Sequence, residues 1–199
     1  MINKIIAMIL SGPTVSFLIM GAIASLISLS LKTSRSKDIV IETFTAYFFL
    51  FSIGVAYLVN FVMHVFFAEF TAKFIGWANS PFRLDFGFAS LGMGIVGLIA
   101  FRRNPAFRAA AFLPPALLLW GAAGGHIYKM VRVHNVATGN AGAILWTDLL
   151  LPVIGFALLF AQWKYPIPEL GGDCLGSRTI KDDDKAGTSM SGVVLATSG

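Results

Sequence analysis

Two histidines and two aspartates sit near the ends of four separate apolar stretches: His64 on the second, Asp85 on the third, His126 on the fourth and Asp148 on the fifth. An ionisable group within a bilayer costs roughly 2.5–3.5 kcal/mol at mid-helix, so it persists where it pairs, binds or moves charge. Asn60 precedes His64 by four residues and shares its helix face. Imidazole and carboxylate are also ligands of zinc, iron and manganese, which makes His64, His126 and Asp148 the candidate metal set and a divalent metal the one cofactor suggested. No E-x-x-H or H-E-x-x-H spacing puts two such ligands on one helix face. His126 and Met130 are spaced for one face, but a single pair on one helix does not supply both axial positions of a haem. There is no G-x-S-x-G element for a hydrolytic serine.

Each polar group also has a plainer role open to it. Asp148 can form a structural ion pair with Arg83, Lys129 or His126. Asp85 follows Arg83 near a helix start, where the helix dipole favours an acid. Glu42 has the same kind of position on the second stretch, after Asp38 as N-cap. His126 can be a hydrogen-bonded packing residue, and His134 a solvated loop residue.

The elements that must hold these groups follow from composition. Of 199 residues, 56% are hydrophobic and 13% charged, against about 25% charged in soluble domains, and the mean hydropathy is +0.77. The deficit is concentrated: residues 43–63, 86–101, 109–125 and 149–163 carry no charge. A spanning helix needs about 20 apolar residues. The chain is expected to be an all-α, polytopic helical bundle over residues 1–165, a four-helix core plus an N-terminal helix. Residues 166–199, rich in Pro, Gly, Ser and Asp, read as a disordered cytoplasmic tail.

The five spans fall at about 5–31, 39–69, 84–101, 109–131 and 142–163. The first imitates a secretory signal through Lys4, an apolar run and Ala22-Ile23-Ala24, but the run continues to Leu31, which favours retention. Residues 70–82, with Gly76, Trp77 and Pro81, read as an interfacial connection. Glycines of spans three and four suit close helix packing, within the chain or between copies in a homo-oligomer. Basic residues in alternate connections favour the N-terminus outside and the C-terminus cytoplasmic, in a cell (inner) membrane. That topology puts His64, Asp85, His126 and Asp148 in one leaflet. The formal charge of +5 lies in short loops with no basic, aromatic-interleaved stripe, so the partner is the lipid bilayer and not nucleic acid. The single cysteine, Cys174, excludes an intrachain disulfide.

Gly76-Trp77-x-x-Ser80-Pro81-Phe82, Gly87-x-x-x-Leu91-Gly92-x-Gly94, the 121–126 run Gly-Ala-Ala-Gly-Gly-His, and Asn135-x-x-x-Gly139-Asn140-Ala141-Gly142 leading to Asp148-x-x-x-Pro152 form a string of motifs over about residues 40–160. In these the chain resembles a family of uncharacterised prokaryotic multi-pass integral membrane proteins, and more faintly the DoxX-like proteins with their four-helix core. The first resemblance implies a fold and no mechanism, and adds Asn140 to His126 and Asp148 as residues that matter. The second implies redox or sulfur metabolism and carries over no residue.

Three functions follow as expectations. The leading one is an outer-leaflet polar pocket that binds a small solute, proton or metal ion, with transport as one use. A membrane enzyme or redox subunit would use the same His/Asp cluster on a metal or quinone-like substrate. A structural or accessory subunit would have polar groups that only satisfy one another.

Overall fold

A computed structural model describes residues 13–78 and 80–167. The expected disordered tail, Cys174 and the first part of the N-terminal span fall outside these residues. Every regular element among those described is helical. Helix α1 is Pro13–Ser30. Helix α2, Lys37–Phe66, is one rod of 30 residues whose centre, Phe49–Val55, is wound as a π-helix. A short helix α3 (Ala68–Ile75) leads to α4 (Phe82–Ala100), α5 (Pro105–Val133), a single turn α6 (Thr138–Ala141) and α7 (Ala143–Lys164). Four helices, α2, α4, α5 and α6–α7 taken together, are long and apolar enough to cross a membrane, with mean hydropathies between 1.4 and 2.1.

Local chemistry sets the ends. Asn104 caps α5 by accepting from the Phe107 N–H at 2.9 Å, with Pro105 at the first helical position, where its missing N–H costs nothing. Helix α3 stops at Gly76, which takes a left-handed φ of 73°. Helix α5 stops at His134, a non-glycine residue at φ 52°, which caps the helix from the exposed connection where it was expected. Ser36, not Asp38, stands at the N-cap of α2. The second span ends earlier than hydropathy indicates, because the chain breaks at Phe67 (φ −121°) and restarts as α3 within the expected connection.

The helices pack through small residues and aromatic rings. Along α4, a Cβ on Gly87, Gly94 or Gly97 would lie 2.6–2.9 Å from atoms of Val65, Leu58 and Gly54 on α2. The glycine stripe of α4 is therefore consumed inside the chain, whereas Gly92, Gly121 and Gly124 meet nothing within 4 Å. In the centre, Phe48, Phe49 and Phe156 pack edge-on against Phe112, whose ring occupies the place of a side chain on Gly155.

One end of the bundle is tied by a charge pair. Arg108, 0% exposed, grips both carboxylate oxygens of Glu42 at 2.7 and 2.8 Å and donates to the carbonyls of Ala100 and Phe101. The Gln162 amide also donates to Glu42. Glu42, expected to serve the helix dipole, thus joins α2 to α5 through Arg108 and to α7 through Gln162. The bidentate fork is the geometry that makes a buried ion pair tolerable.

Candidate functional site

At the opposite end, α6 and its flanking loop fold back against α3 and α5. Gly139 permits this, since a Cβ there would lie 2.4 Å from the Phe74 carbonyl oxygen. Asn135 fastens the loop by donating to the carbonyls of Ile75 and Gly76 at 3.2 and 3.1 Å, while its oxygen accepts from the Ala137 N–H. This carries Asn140 into the protein, where it is 0% exposed.

Asn140 uses its whole amide. Nδ2 donates to the carbonyls of His126 (3.2 Å) and Asn135 (2.9 Å), and Oδ1 accepts from Trp77 Nε1 at 2.9 Å. Turning the amide over would set two donors together and aim its oxygen at two carbonyls, so the network fixes its orientation. His126 Nδ1 lies 2.9 Å from that same Oδ1. An acceptor there requires a hydrogen on Nδ1, which leaves Nε2 as the atom that faces Asp148. Its distance to Asp148 Oδ2 is 3.5 Å, and each residue is 5% exposed. A favourable contact between Nε2 and a carboxyl oxygen needs a proton between them.

The surroundings hold the pair in place. The Trp77 ring lies 5.3 Å from the His126 ring at 48°, and a Cβ on Gly125 would come within 3.2 Å of that indole. Pro152 has no N–H to give the carbonyl of Asp148 four residues before it, and so loosens α7 just after the carboxylate.

The pair faces a cavity of about 710 Å³ bounded by α1, α2, α3, α4, α5 and α7. Most of the wall is apolar, and its polar members include Tyr57, Asn60, His64, Arg83, His126 and Asp148. The Tyr57 hydroxyl donates to the Pro115 carbonyl at 3.3 Å, and Asn60 Nδ2 to Ser90 Oγ at 3.0 Å. A site of this size and polarity suits a small organic molecule more than a bare ion.

Of the six residues singled out by sequence, His126, Asn140 and Asp148 form one cluster. Asn60 and His64 line the same cavity from α2. Asp85 does not join them: it is exposed on the first turn of α4 and absent from the cavity wall, as its helix-dipole role allows. Among the described residues no three His, Cys, Asp or Glu side chains come together to hold an ion, so the geometry lends the set His64, His126 and Asp148 no support as a metal centre. His64 instead packs edge-on against Phe86, ring centres 4.6 Å apart.

Sequence reasoning missed Trp77 as a site residue, having put it at the headgroup level, and missed Asn135. Both lie in the motifs quoted above, which is the signal that was available; that Gly125 makes room for the Trp77 ring and Gly76 for the Asn135 amide is visible only in the fold.

Residues 11–167 match the model of a family of unknown function, DUF6790, and the chain belongs to that family. No curated protein and no solved structure matches it.

Proposed function

We propose that this is an integral membrane protein that binds a small, mostly apolar molecule in the cavity, with the polar part of that molecule at the His126–Asp148 pair. The observation that carries the reading is a buried, oriented pair on the wall of a cavity of about 710 Å³ that is otherwise largely apolar. Membrane insertion is supported by the apolar residues the bundle leaves exposed, among them Leu31 at 82%, Phe82 at 78% and Trp163 at 75%. Such a surface is unstable in water and ordinary in lipid. We count α1 as a fifth span.

The N-terminus is outside in this reading, so the cavity opens in the outer leaflet. Arg108 is neutralised by Glu42 and leaves the orientation count. Lys32, Arg35, Lys37, Arg102, Arg103 and Lys164 then face the cytoplasm against Lys4, Lys73, Arg83, Lys129 and Arg132 outside, with Arg178, Lys181 and Lys185 of the tail adding to the inner side. Transport is a use the site would serve if the molecule leaves on the other side. Homo-oligomerisation, if it occurs, would use Gly121 and Gly124 of α5, since the α4 stripe is occupied.

Solvent extraction and mass spectrometry of the detergent-purified protein test the reading. The wild type is expected to carry a small molecule near one per chain, and both Asp148→Asn and Ala122→Phe, which fills the cavity from α5, to lose it. Elemental analysis should find no metal whose presence tracks His126. A wild type that carries no such molecule and takes up no decylubiquinone in nanodiscs would overturn the proposal.

One observation favours a second reading, a structural subunit. Asn140, Trp77 and His126 satisfy one another so fully that the network could serve only to lock α3, α5 and α6 together. In that case Ala122→Phe leaves every property but stability unchanged.

A further inference from the structure

Two polar atoms of α2 are left out of this account. Ser52 Oγ and His64 Nδ1 are buried and have no hydrogen-bond partner among the described residues. Ser52 is 1% exposed. Both residues line the same cavity that His126 and Asp148 face. Buried polar groups are nearly always paired, so two unpaired ones on one cavity wall call for a partner that enters the cavity.

Their placement describes that partner. Ser52, Ala56, Asn60 and His64 recur every four residues along α2, and all four line the cavity. Twelve residues at 1.5 Å each separate the ends of this row by roughly 18 Å. The partner is therefore elongated, with polar atoms at more than one point along its length. It is uncharged, because most of the wall is apolar and the two unpaired atoms it would meet, a hydroxyl oxygen and a ring nitrogen, offer no counter-charge to a buried ion. It comes from lipid, because the exposed residues at the cavity margin include Phe70 (54%), Phe82 (78%) and Leu117 (58%). A bilayer presents amphiphiles to such a margin, whereas a water-soluble solute would meet only hydrocarbon there.

We infer that the cavity takes an elongated, uncharged amphiphile from the bilayer, a molecule with hydroxyl or carbonyl oxygens, and that Ser52 and His64 are its hydrogen-bonding anchors on α2. This rests on the cavity being a binding site, as proposed above, and adds the ligand class and two residues.

Binding in nanodiscs tests it, read as the ligand-induced shift in melting temperature and converted to Kd. The uncharged probes are decylubiquinone and 1-decanoylglycerol, and the charged comparators are decyltrimethylammonium and ionised decanoate. Wild type is expected to bind an uncharged probe in preference to both charged ones. Ser52→Ala and His64→Phe should each weaken that binding about tenfold, the effect of one hydrogen bond to a buried group. Ser52→Ala should melt no lower than wild type without ligand, because the hydroxyl it removes has no partner to lose. If wild type binds and Asp148→Asn does not, while Ser52→Ala and His64→Phe bind as wild type, the two anchors are refuted and the proposed function stands. Preference for a charged probe refutes the ligand class. Failure of wild type to bind any of the four refutes both readings.

Discussion

Replacing Asn140 with leucine would remove, in one step, the acceptor for Trp77 Nε1 and for His126 Nδ1. Two buried donors left unpaired predict a loss of about 2–4 kcal/mol, visible as a lower melting temperature of the detergent-solubilised protein. The histidine itself gives a sharper readout. In wild type, ¹⁵N spectra should show His126 protonated at Nδ1, and Asn140→Asp, which keeps an acceptor, should retain that signature where Asn140→Leu loses it. A His126 protonated only at Nε2 in wild type would contradict the network. At the far end, Arg108→Met strands Glu42 and is expected to destabilise by about 3–5 kcal/mol. The double variant with Glu42→Leu should regain much of that loss, because it is the unpaired charge that is costly. Similar melting of the single and double variants would count against a buried pair. None of these partnerships is legible in the chain: Glu42 and Arg108 are 66 residues apart, and each has a credible local role.

At the scale of the helices, glycines sort into two kinds that the sequence writes identically. Gly155→Ala would place a Cβ about 2.0 Å from Phe112 Cζ and should cost about 1–3 kcal/mol as the ring is displaced. Gly121→Ala meets nothing within 4 Å and should be neutral, or stabilising by up to about 1 kcal/mol through helix propensity. Thermal unfolding of the two variants side by side checks this, and equal losses would mean that α5 and α7 are packed otherwise. Helix ends were only partly readable. Asn104-Pro105 announces the start of α5 by its own chemistry, whereas the break at Phe67 has no proline or glycine to mark it and depends on α3 turning back over the cavity.

For the whole molecule, the proposed topology makes a labelling pattern. In a Cys174→Ser background, Ala78→Cys, in the exposed turn after α3, should react with a membrane-impermeant maleimide on intact cells. Arg103→Cys, in the connection between α4 and α5, should react only after permeabilisation. The reverse pattern would invert the protein and move the cavity to the inner leaflet.

Hydropathy is a property summed along the chain, so the sequence by itself determined that the described residues form apolar helices and roughly where the long ones begin and end, but not the short α3 and α6. It also determined that charge must gather at helix ends, which is why His64, His126 and Asp148 could be marked in advance. The rotation of each helix about its axis leaves no trace in such a sum, yet it decides which side chains meet. Tertiary structure alone turned Asp85 outward and Trp77 inward, and set Arg108 on Glu42. It alone brought His126 Nε2 to Asp148 beside a cavity that six helices enclose, because that contact depends on how α5, α6 and α7 dock and not on any one of them.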